Sequence, residues 1–579
     1  MGVGGLFKSK PLVVVEETSG TSTPATEMSG TSTPATSDCS LEKNGLPLED
    51  GPVKYLTLRT FVLGLVVSMG GTVFGYSTGQ ISGFTTMPNF KKCFGEYNTS
   101  TNEYEFSDMR NGLIVGLLAI GTMVGALLAA PIADRIGRRL SISFWALINM
   151  VGIIVQMSTD SKWYQVAMGR WVAGLGIGAL SGLVPMYQSE SAPCHIRGAM
   201  IGSFQLCVTL GIFLSYIVNL GTNTIQSTAS WRITMGIGFA WSLILGFGTL
   251  FLPESPRFSY SRGHFEEARL VMSQLYGVSP NHRLVAQEMQ EMEEKFIEEK
   301  TTAGSAPWYE VFTGPRMFYR TMLGIVVQSL QQLTGANFLF YYGNSVFSSA
   351  GLDNSYVTQV ILGAVNFGMT FPGLYMVEHF GRRKCLIFGG LWMFICFMIF
   401  ASVGHFGLHL NDGSSSPTAG TVMIVFTCFF ICGYSTTWGP IVYTICGEMY
   451  PARYRAVSIG IATAANWTWN FLISFFTPFI TSAIDFRYGY VFASCCFAGA
   501  IIVFFFVNET QGRSLEEIDS MYLSHVKPWK SSSWTAPETA SAQELRARLE
   551  ETVSRGETHQ PPTPAEQLDL SCSYNRPNQ

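Results

Sequence analysis

Carboxamide side chains recur inside stretches of this sequence that are otherwise strongly apolar. An amide carries a hydrogen-bond donor and an acceptor on one side chain, which is the combination that a sugar hydroxyl requires. Because unpaired polar groups are costly in hydrocarbon, these amides must face a cavity or another helix. An uncharged ring of amides would suit a neutral polyol, although hydrogen bonding between helices explains any single amide equally well. The set is Gln205, Gln328, Gln331, Gln332, Asn337, Asn366, Asn466 and Asn470.

Aromatic residues accompany the amides and could complete a binding site. Their rings could cover the apolar C–H faces of a sugar and close a cavity over it. Each ring taken alone is better explained by packing between helices or by a place in the interfacial aromatic belt. The rings belong to Tyr341, Tyr342, Trp438, Tyr443, Trp467 and Trp469.

Two sets of charged residues occur in the same order at equivalent places along the chain. The pattern Glu-x-x-Pro-x-x-x-Arg appears twice, 258 positions apart, and DRIGRR at 134–139 matches EHFGRR at 378–383. These groups could form bidentate pairs that lock one side of the protein when it opens to the other, or they could be topology signals with snorkelling arginines. The duplication favours the lock. The first set comprises Asp134, Arg138, Arg139, Glu190 and Arg197, and the second Glu378, Arg382, Arg383, Glu448 and Arg455.

Long apolar runs must position these side chains. Only 13% of the residues are charged, about half of what a soluble domain carries. A span needs about 20 mainly apolar residues, and the polar first 55 residues indicate that no cleavable signal peptide precedes them. The sequence predicts twelve spans, near 59–80, 112–133, 140–157, 164–187, 199–219, 234–252, 317–343, 357–377, 385–404, 420–445, 456–480 and 488–507.

The duplicated charged motifs and the charges of the loops predict how the chain is arranged in the membrane. Successive loops are alternately rich and poor in lysine and arginine. Because the rich loops face the cytoplasm, the pattern predicts that both termini and residues 253–316 lie there. Asn98, in the first outer loop, is then the N-glycosylation site that can be used. We predict an all-α membrane protein with two pseudo-symmetric six-helix halves and a site between them near the midplane. The predicted parts are a disordered tail (1–55), two halves (56–252 and 317–508), a helical linker (253–316) and a mostly disordered tail (509–579).

Several motifs together resemble the sugar porters of the major facilitator superfamily, and among these the fungal hexose transporters. They include GRWVAGLGIG, PMYQSESAPCHIRG, PESPRF, QQLTGAN and NETQGRSLEE. The resemblance implies the major facilitator fold and a monosaccharide substrate. Many relatives have tryptophan where this chain has Tyr443, which leaves open whether that ring or Trp438 makes the contact. The sugar ligands it carries over are Gln205, Gln331, Gln332, Asn337, Asn366 and Asn466, with Asn470 as a further candidate.

Ser77 decides the predicted mode of transport. In relatives this position, within GYSTG, is often aspartate, which proton symporters use, whereas serine does not titrate in the working range. The sequence therefore predicts facilitated diffusion of a hexose, with glucose as the first candidate, in the plasma membrane. A proton symporter is one alternative. A glucose sensor that signals through its cytoplasmic tail is another, and either tail could bind cytoplasmic regulators.

Other function classes find no support in the residues. The net charge of −4 gives no basis for a nucleic-acid partner. No catalytic set, P-loop or metal-ligand spacing occurs, so we expect neither an enzyme nor a bound cofactor or metal. Glycines spaced four apart, as at Gly71, Gly75, Gly79 and Gly83, predict close helix packing instead.

Overall fold

A computed structural model describes the chain outside residues 1–48, 50–55, 100–101, 304–308, 350–353, 408–416, 452–453, 514 and 535–579. The N-terminal tail predicted for 1–55 therefore lies outside the described residues except at Glu49, and so does the C-terminal tail beyond 534. Apart from two three-residue strands, β1 (Glu96–Asn98) and β2 (Glu103–Glu105), the regular structure in the described part is helical.

We use the predicted bounds to name residues 56–252, which contain the first group of long helices, the N half. Helix α1 begins after Thr57, whose hydroxyl accepts a hydrogen bond from the Thr60 N–H and caps the first turn. A short helix, α2 (Pro88–Phe94), and the β1–β2 hairpin follow α1. The long helices are α1 (Leu58–Phe84), α3 (Asp108–Ile136), α4 (Arg138–Met157), α5 (Trp163–Ser191), α6 (Arg197–Thr222) and α7 (Ala229–Leu250).

The C half, residues 317–508, follows a linker of four helices: α8 (Pro256–Ser261), α9 (Phe265–Tyr276), α10 (Arg283–Ala303) and α11 (Glu310–Thr313). Two of its predicted spans are interrupted and so appear as helix pairs. The helices are α12 (Met317–Leu333), α13 (Ala336–Ser349), α14 (Ser355–His379), α15 (Arg382–Ser402), α16 (Pro417–Thr436), α17 (Trp438–Met449), α18 (Arg455–Ile484) and α19 (Tyr488–Phe506).

Ten stretches of the described residues are long and apolar enough to cross a membrane. One of them, Val457–Phe506, contains both α18 and α19. The predicted span at 317–343 is not among the ten because the chain breaks at Thr334–Gly335, which leaves helices of 17 and 14 residues. Interrupted helices inside a membrane occur where the backbone lines a cavity or is buried in protein. The breaks therefore indicate that the backbone of α12–α13 and of α16–α17 lines a cavity or is buried in protein.

Glycines let the long helices of the N half approach closely. A Cβ atom placed on Gly75 would lie 1.9 Å from the carbonyl oxygen of Val208, and one on Gly71 would lie 2.4 Å from that of Phe204. The contact of α3 with α5 is built in the same way, with Gly125 against the Leu175 carbonyl oxygen at 2.0 Å. The predicted close packing at glycines is thus confirmed.

Hydrogen bonds join the two halves on the side that the sequence predicts to be extracellular. The Asn344 side-chain amide donates to the Thr86 hydroxyl at 2.7 Å, and the Tyr356 hydroxyl donates to the Gly83 carbonyl at 3.2 Å. These contacts connect the end of α1 with α13 and α14. The structure therefore has this side of the bundle closed.

Part of the predicted C-terminal tail is folded against the C half. Helix α20 (Leu515–Leu523) packs near the start of α12, where the buried guanidinium of Arg320 forms an ion pair with Asp519 at 2.6 Å. The same guanidinium lies 4.6 Å from the centre of the Tyr522 ring. A short 3-10 helix, Pro528–Ser533, completes this segment. Helix α20 thus compensates a buried charge of α12, and the 3-10 helix is held separately, by the Ser531 hydroxyl accepting from the Glu509 N–H at 2.9 Å.

Replacing Gly75 by alanine should destabilise the protein, because the added methyl group overlaps the α6 backbone. Overpacking of this kind costs roughly 1–3 kcal/mol, so we expect a lower midpoint of thermal unfolding for the purified protein. Gly182→Ala is the matched control, because a Cβ atom there meets no heavy atom within 4 Å. Equal midpoints for the two variants would contradict the close contact of α1 with α6.

Candidate functional site

A cluster of amides lies where α12, α13 and α18 meet. The Gln332 side-chain N–H donates to Asn466 Oδ1 at 2.8 Å, and Asn470 donates to Gln332 Oε1 at 3.3 Å. Asn337, in the first turn of α13, also donates to Gln332 Oε1. These side chains are mostly buried, with Asn466 fully so and Gln332 7% exposed. Four of the predicted amides therefore form one connected group, which we call the amide cluster.

Asn466 extends the amide cluster along α12. Its side-chain nitrogen lies 2.7 Å from both Gln331 Oε1 and Gln328 Oε1, which accept from it. Gln331 in turn donates to the backbone carbonyls of Trp438 and Gly439, each at 3.0 Å. The cluster is thereby tied to the start of α17, immediately after the second helix break. Both interrupted spans converge on the same polar group.

The break between α12 and α13 explains why these amides can meet. Gly335 has φ +85°, a left-handed conformation that favours glycine, and a Cβ atom there would lie 2.6 Å from the Phe492 ring. The helix therefore stops after Leu333 and restarts at Ala336. Gln331 and Gln332 fall in the last turn of α12, next to carbonyl groups that no longer have helical partners.

Two tyrosines of α13 join the cluster to α18. The Tyr341 hydroxyl donates to Asn470 Oδ1 at 3.3 Å, and the Tyr342 hydroxyl donates to the Ser474 carbonyl at 2.6 Å. The Tyr443 hydroxyl lies 3.5 Å from Asn466 Oδ1, at the outer limit of a hydrogen bond.

The Trp438 ring points away from the amide cluster. Its indole N–H donates to the Leu386 carbonyl at 2.9 Å, and a Cβ atom on Gly499 would lie 2.9 Å from its ring. It therefore packs between α15 and α19, and only its backbone carbonyl reaches the cluster. Of the two aromatic candidates, Tyr443 is the one whose side chain the structure brings to the amides. Trp467 packs edge-on against Phe74 of the N half.

Gln205 and Asn366 stand apart from the amide cluster. Asn366, on α14, accepts a hydrogen bond from the Ser435 hydroxyl at 2.6 Å. Gln205 is half-buried on α6 in the N half. Within the described part of the chain, neither side chain is hydrogen-bonded to the cluster.

The inner charged residues form ion pairs within each half. In the N half, the Arg138 guanidinium holds Glu190 through Nε at 3.1 Å and Nη2 at 3.3 Å, and it also contacts Asp134 at 3.2 Å. In the C half, Arg382 pairs with Glu448 at 3.0 Å. Each pair joins the start of one helix to the end of another, α4 to α5 and α15 to α17.

The remaining arginines of the two sets donate to backbone carbonyls near helix ends. Arg139 bonds the carbonyl of Leu252, and Arg383 bonds that of Phe504. Arg197 and Arg455 each donate to a carbonyl five residues earlier, in Ala192 and Tyr450 respectively. The side chain of Glu378 lies outside the described residues, and its backbone belongs to α14.

Two carboxylates that the sequence analysis did not single out organise these inner clusters. Glu254 accepts from the backbone N–H groups of Arg138 and Arg139 at 2.8 and 3.1 Å. Glu509 accepts from those of Arg382 and Arg383 at 2.8 and 3.2 Å. Each carboxylate caps the N-terminus of a long helix, where negative charge is stabilising. A sequence signal for these carboxylates was present, because each half has a glutamate just after its last span. Glu254 precedes Ser255, and Glu509 precedes Thr510.

Comparison with known proteins decides what kind of protein carries this site. Residues 63–522 match the family model described as "Sugar (and other) transporter". The chain belongs to this family. It is 44% identical over 517 residues to the high-affinity glucose transporter ght2 of Schizosaccharomyces pombe, covering 89% of this chain and 97% of that protein. It is 45% identical over 480 residues to the high-affinity fructose transporter ght6 of the same organism, covering 82% and 89%.

The fold of this sugar transporter has counterparts among solved structures. XylE from E. coli, a proton:xylose symporter of the major facilitator superfamily, aligns with a TM-score of 0.66 at 24% identity. The alignment covers 81% of this chain and all of XylE. The predicted all-α major facilitator fold is thereby confirmed, and so is the predicted membership among sugar porters.

Neutralising Glu509 should destabilise this transporter, because Glu509→Gln removes the charge that caps α15. Loss of a helix cap costs about 0.5–2 kcal/mol, which a lower thermal-unfolding midpoint would report. Glu254→Gln should give a similar loss, since it holds the equivalent position at α4. Glu103→Gln, on the exposed outer hairpin, is the control. Unchanged stability in both capping variants would remove these carboxylates from the inner clusters.

Proposed function

We propose that this sugar transporter carries a hexose, with glucose as the first candidate, across the plasma membrane by facilitated diffusion. The amide cluster is the observation that supports the proposal. It is uncharged, buried and placed beside two interrupted helices, as expected of a substrate site in a transporter with two related halves. The relatives named for glucose and fructose transport support a hexose rather than a larger sugar.

The amides would bind the sugar by exchanging partners. In the structure Gln332, Asn337, Asn466 and Asn470 bond to one another. A hexose presents hydroxyl groups that donate and accept, so it can replace these bonds without leaving a buried polar atom unsatisfied. Because the exchange is nearly balanced, binding stays modest and the sugar can leave again. Gln205 and Asn366 would contact the sugar from α6 and α14, and Tyr341, Tyr342 and Tyr443 would enclose it.

Alternating access would follow from rocking of the two halves. The Asn344–Thr86 bond and its neighbours close the predicted outer side and must break when the protein opens outward. The ion pairs Arg138–Glu190 and Arg382–Glu448 each lie within one half, so they hold its inner helix ends together. Each half would then move as a rigid unit, with contacts between the units made and broken in turn.

Ser77 supports facilitated diffusion over proton symport. It is buried on α1, in a span that carries no carboxylate. The described carboxylates of the other spans belong to residues near helix ends, as Asp108, Asp134, Glu190 and Glu448 are. A proton-coupled carrier needs a group that titrates inside the cavity, and serine does not supply one.

The proposed orientation places both termini and the linker in the cytoplasm. The β1–β2 hairpin is then extracellular, and Asn98 at its edge is the proposed glycosylation site. In the structure the Asn98 side-chain nitrogen donates to Glu105 at 3.1 Å, a bond that attachment of a glycan would replace. The cytoplasmic tails would be the part open to regulators.

Gln332→Ala should weaken hexose uptake, because it removes the side chain that bonds three other members of the cluster. Losing a hydrogen bond of about 0.5–1.5 kcal/mol lowers uptake at low sugar concentration roughly twofold to tenfold. Uptake of labelled glucose by cells lacking other hexose carriers measures this. Gln290→Ala, on the exposed face of the linker, is the matched control and should behave like the unmodified protein. Equal uptake by both variants at equal surface expression would exclude Gln332 from the site.

Collapse of the proton gradient should leave uptake intact. A protonophore removes the driving force of a symporter but not that of a facilitator, so initial rates of glucose entry should not change. Loss of accumulation after protonophore treatment would favour proton symport and contradict the role given to Ser77. Normal surface expression without any uptake would favour the sensor.

A further inference from the structure

Arg170 is a buried arginine that the proposed transport mechanism does not use. It lies in α5, the span Trp163–Ser191, and is 1% exposed. Its Nε and Nη2 atoms are both buried without a hydrogen-bond partner. An ionisable side chain inside a membrane span is costly to maintain and commonly marks a functional site.

Of the other buried arginines of the described chain, Arg383 has the carboxylate of Glu509 as its electrostatic neighbour, and two more form ion pairs. Arg320, fully buried, pairs with Asp519 at 2.6 Å and also donates to its backbone carbonyl. Arg138 holds Glu190 through two hydrogen bonds. An uncompensated buried charge is strongly destabilising. Arg170 therefore differs from both in lacking an anionic partner among the described ion pairs.

The groups around Arg170 do not supply negative charge. Its electrostatic neighbours among the described residues are the phenols of Tyr341 and Tyr342. Both phenols are neutral, and their hydroxyl groups already donate hydrogen bonds, to Asn470 Oδ1 and to the Ser474 carbonyl. They can accept a hydrogen bond but cannot balance a full positive charge.

The two unpartnered nitrogens lie on the same edge of the guanidinium. Nε and Nη2 form the side-on fork that binds a carboxylate through two parallel hydrogen bonds. Arg138 uses this same pair of atoms to hold Glu190. Arg170 thus presents an unfilled fork of the kind that the chain fills with a carboxylate elsewhere.

We propose that Arg170 is an anion site and that its Nε–Nη2 edge binds a small monovalent anion. The anion is either inorganic, such as chloride, or the carboxylate of a sugar acid. This anion site is separate from the proposed hexose site and does not depend on it, because the amide cluster is uncharged. The two are linked through Tyr341, which lies beside Arg170 and bonds the cluster residue Asn470.

Thermal unfolding of the purified full-length protein tests the site. Chloride is varied at constant ionic strength against isethionate, a sulfonate whose spread charge pairs weakly with a guanidinium. A ligand of the folded state raises the unfolding midpoint with its concentration. We expect the midpoint to rise with chloride in the unmodified protein and to be independent of chloride in Arg170→Gln. Arg232→Gln is the matched control, because that arginine already pairs with Asp160, and it should keep the response. A parallel titration with glucuronate identifies a sugar acid if it acts at lower concentrations than chloride.

Equal midpoints in chloride, glucuronate and isethionate for the unmodified protein would overturn the proposal. A response that survives in Arg170→Gln would overturn it as well. Should that variant fail to fold, crystals of the unmodified protein grown with bromide decide the question. An anomalous peak within hydrogen-bond distance of the Arg170 guanidinium supports the site, and its absence at full bromide exchange overturns it. Neither result depends on sugar uptake, so failure of this proposal is distinct from failure of the hexose proposal.

Discussion

A polar group inside a membrane must find a partner, and the structure of the C half depends on this constraint. The chain breaks at Gly335, which frees backbone carbonyls and brings amides from α12, α13 and α18 within bonding distance of one another. Each amide is satisfied by another amide rather than by a charge. Our proposal that the cluster binds a neutral, hydroxyl-rich ligand rests on the same constraint, because hydroxyl groups can donate and accept the hydrogen bonds that the amides now exchange.

Duplication of the inner charges reflects a second requirement, the capping of long helices that start at the membrane surface. Glu254 and Glu509 each accept from two backbone N–H groups at the start of α4 and α15. The preceding glycines, Gly137 and Gly381, have φ values of 94° and 86° and leave no room for a side chain beside the carboxylate. Capping and ion pairing therefore occur at one point in each half. This couples the ends of neighbouring helices within each half.

Close helix packing and the closed outer side also belong together. Gly71, Gly75 and Gly79 set α1 against the α6 backbone, which carries the end of α1 towards α13 and α14 of the other half. The contacts of Thr86 and Gly83 with the C half depend on this placement. The bonds at Thr86 and Gly83 join neutral groups, and a further bond on this side, from the Ser482 hydroxyl of α18 to the Asp108 carboxylate of α3 at 2.9 Å, is exposed.

The sequence by itself determined the spans, the all-α class, the family and the list of polar residues inside the membrane, because each follows from hydropathy, spacing and motif. It also placed Arg138, Glu190, Arg382 and Glu448 in two matching charged sets, since duplication at equivalent helix ends implies a shared role. Only the tertiary structure decided which polar residues meet. Gln332 and Asn466 are 134 positions apart, and their contact depends on the break at Gly335.

Side-chain direction was equally beyond the sequence. Trp438 and Tyr443 lie on one helix, yet one ring packs against Gly499 while the other reaches Asn466. The unfilled fork of Arg170 and the caps of Glu254 and Glu509 became visible only once neighbouring helices were in place. A hydropathy pattern states that a residue is buried, whereas its partner is set by the rotation and spacing of the helices around it.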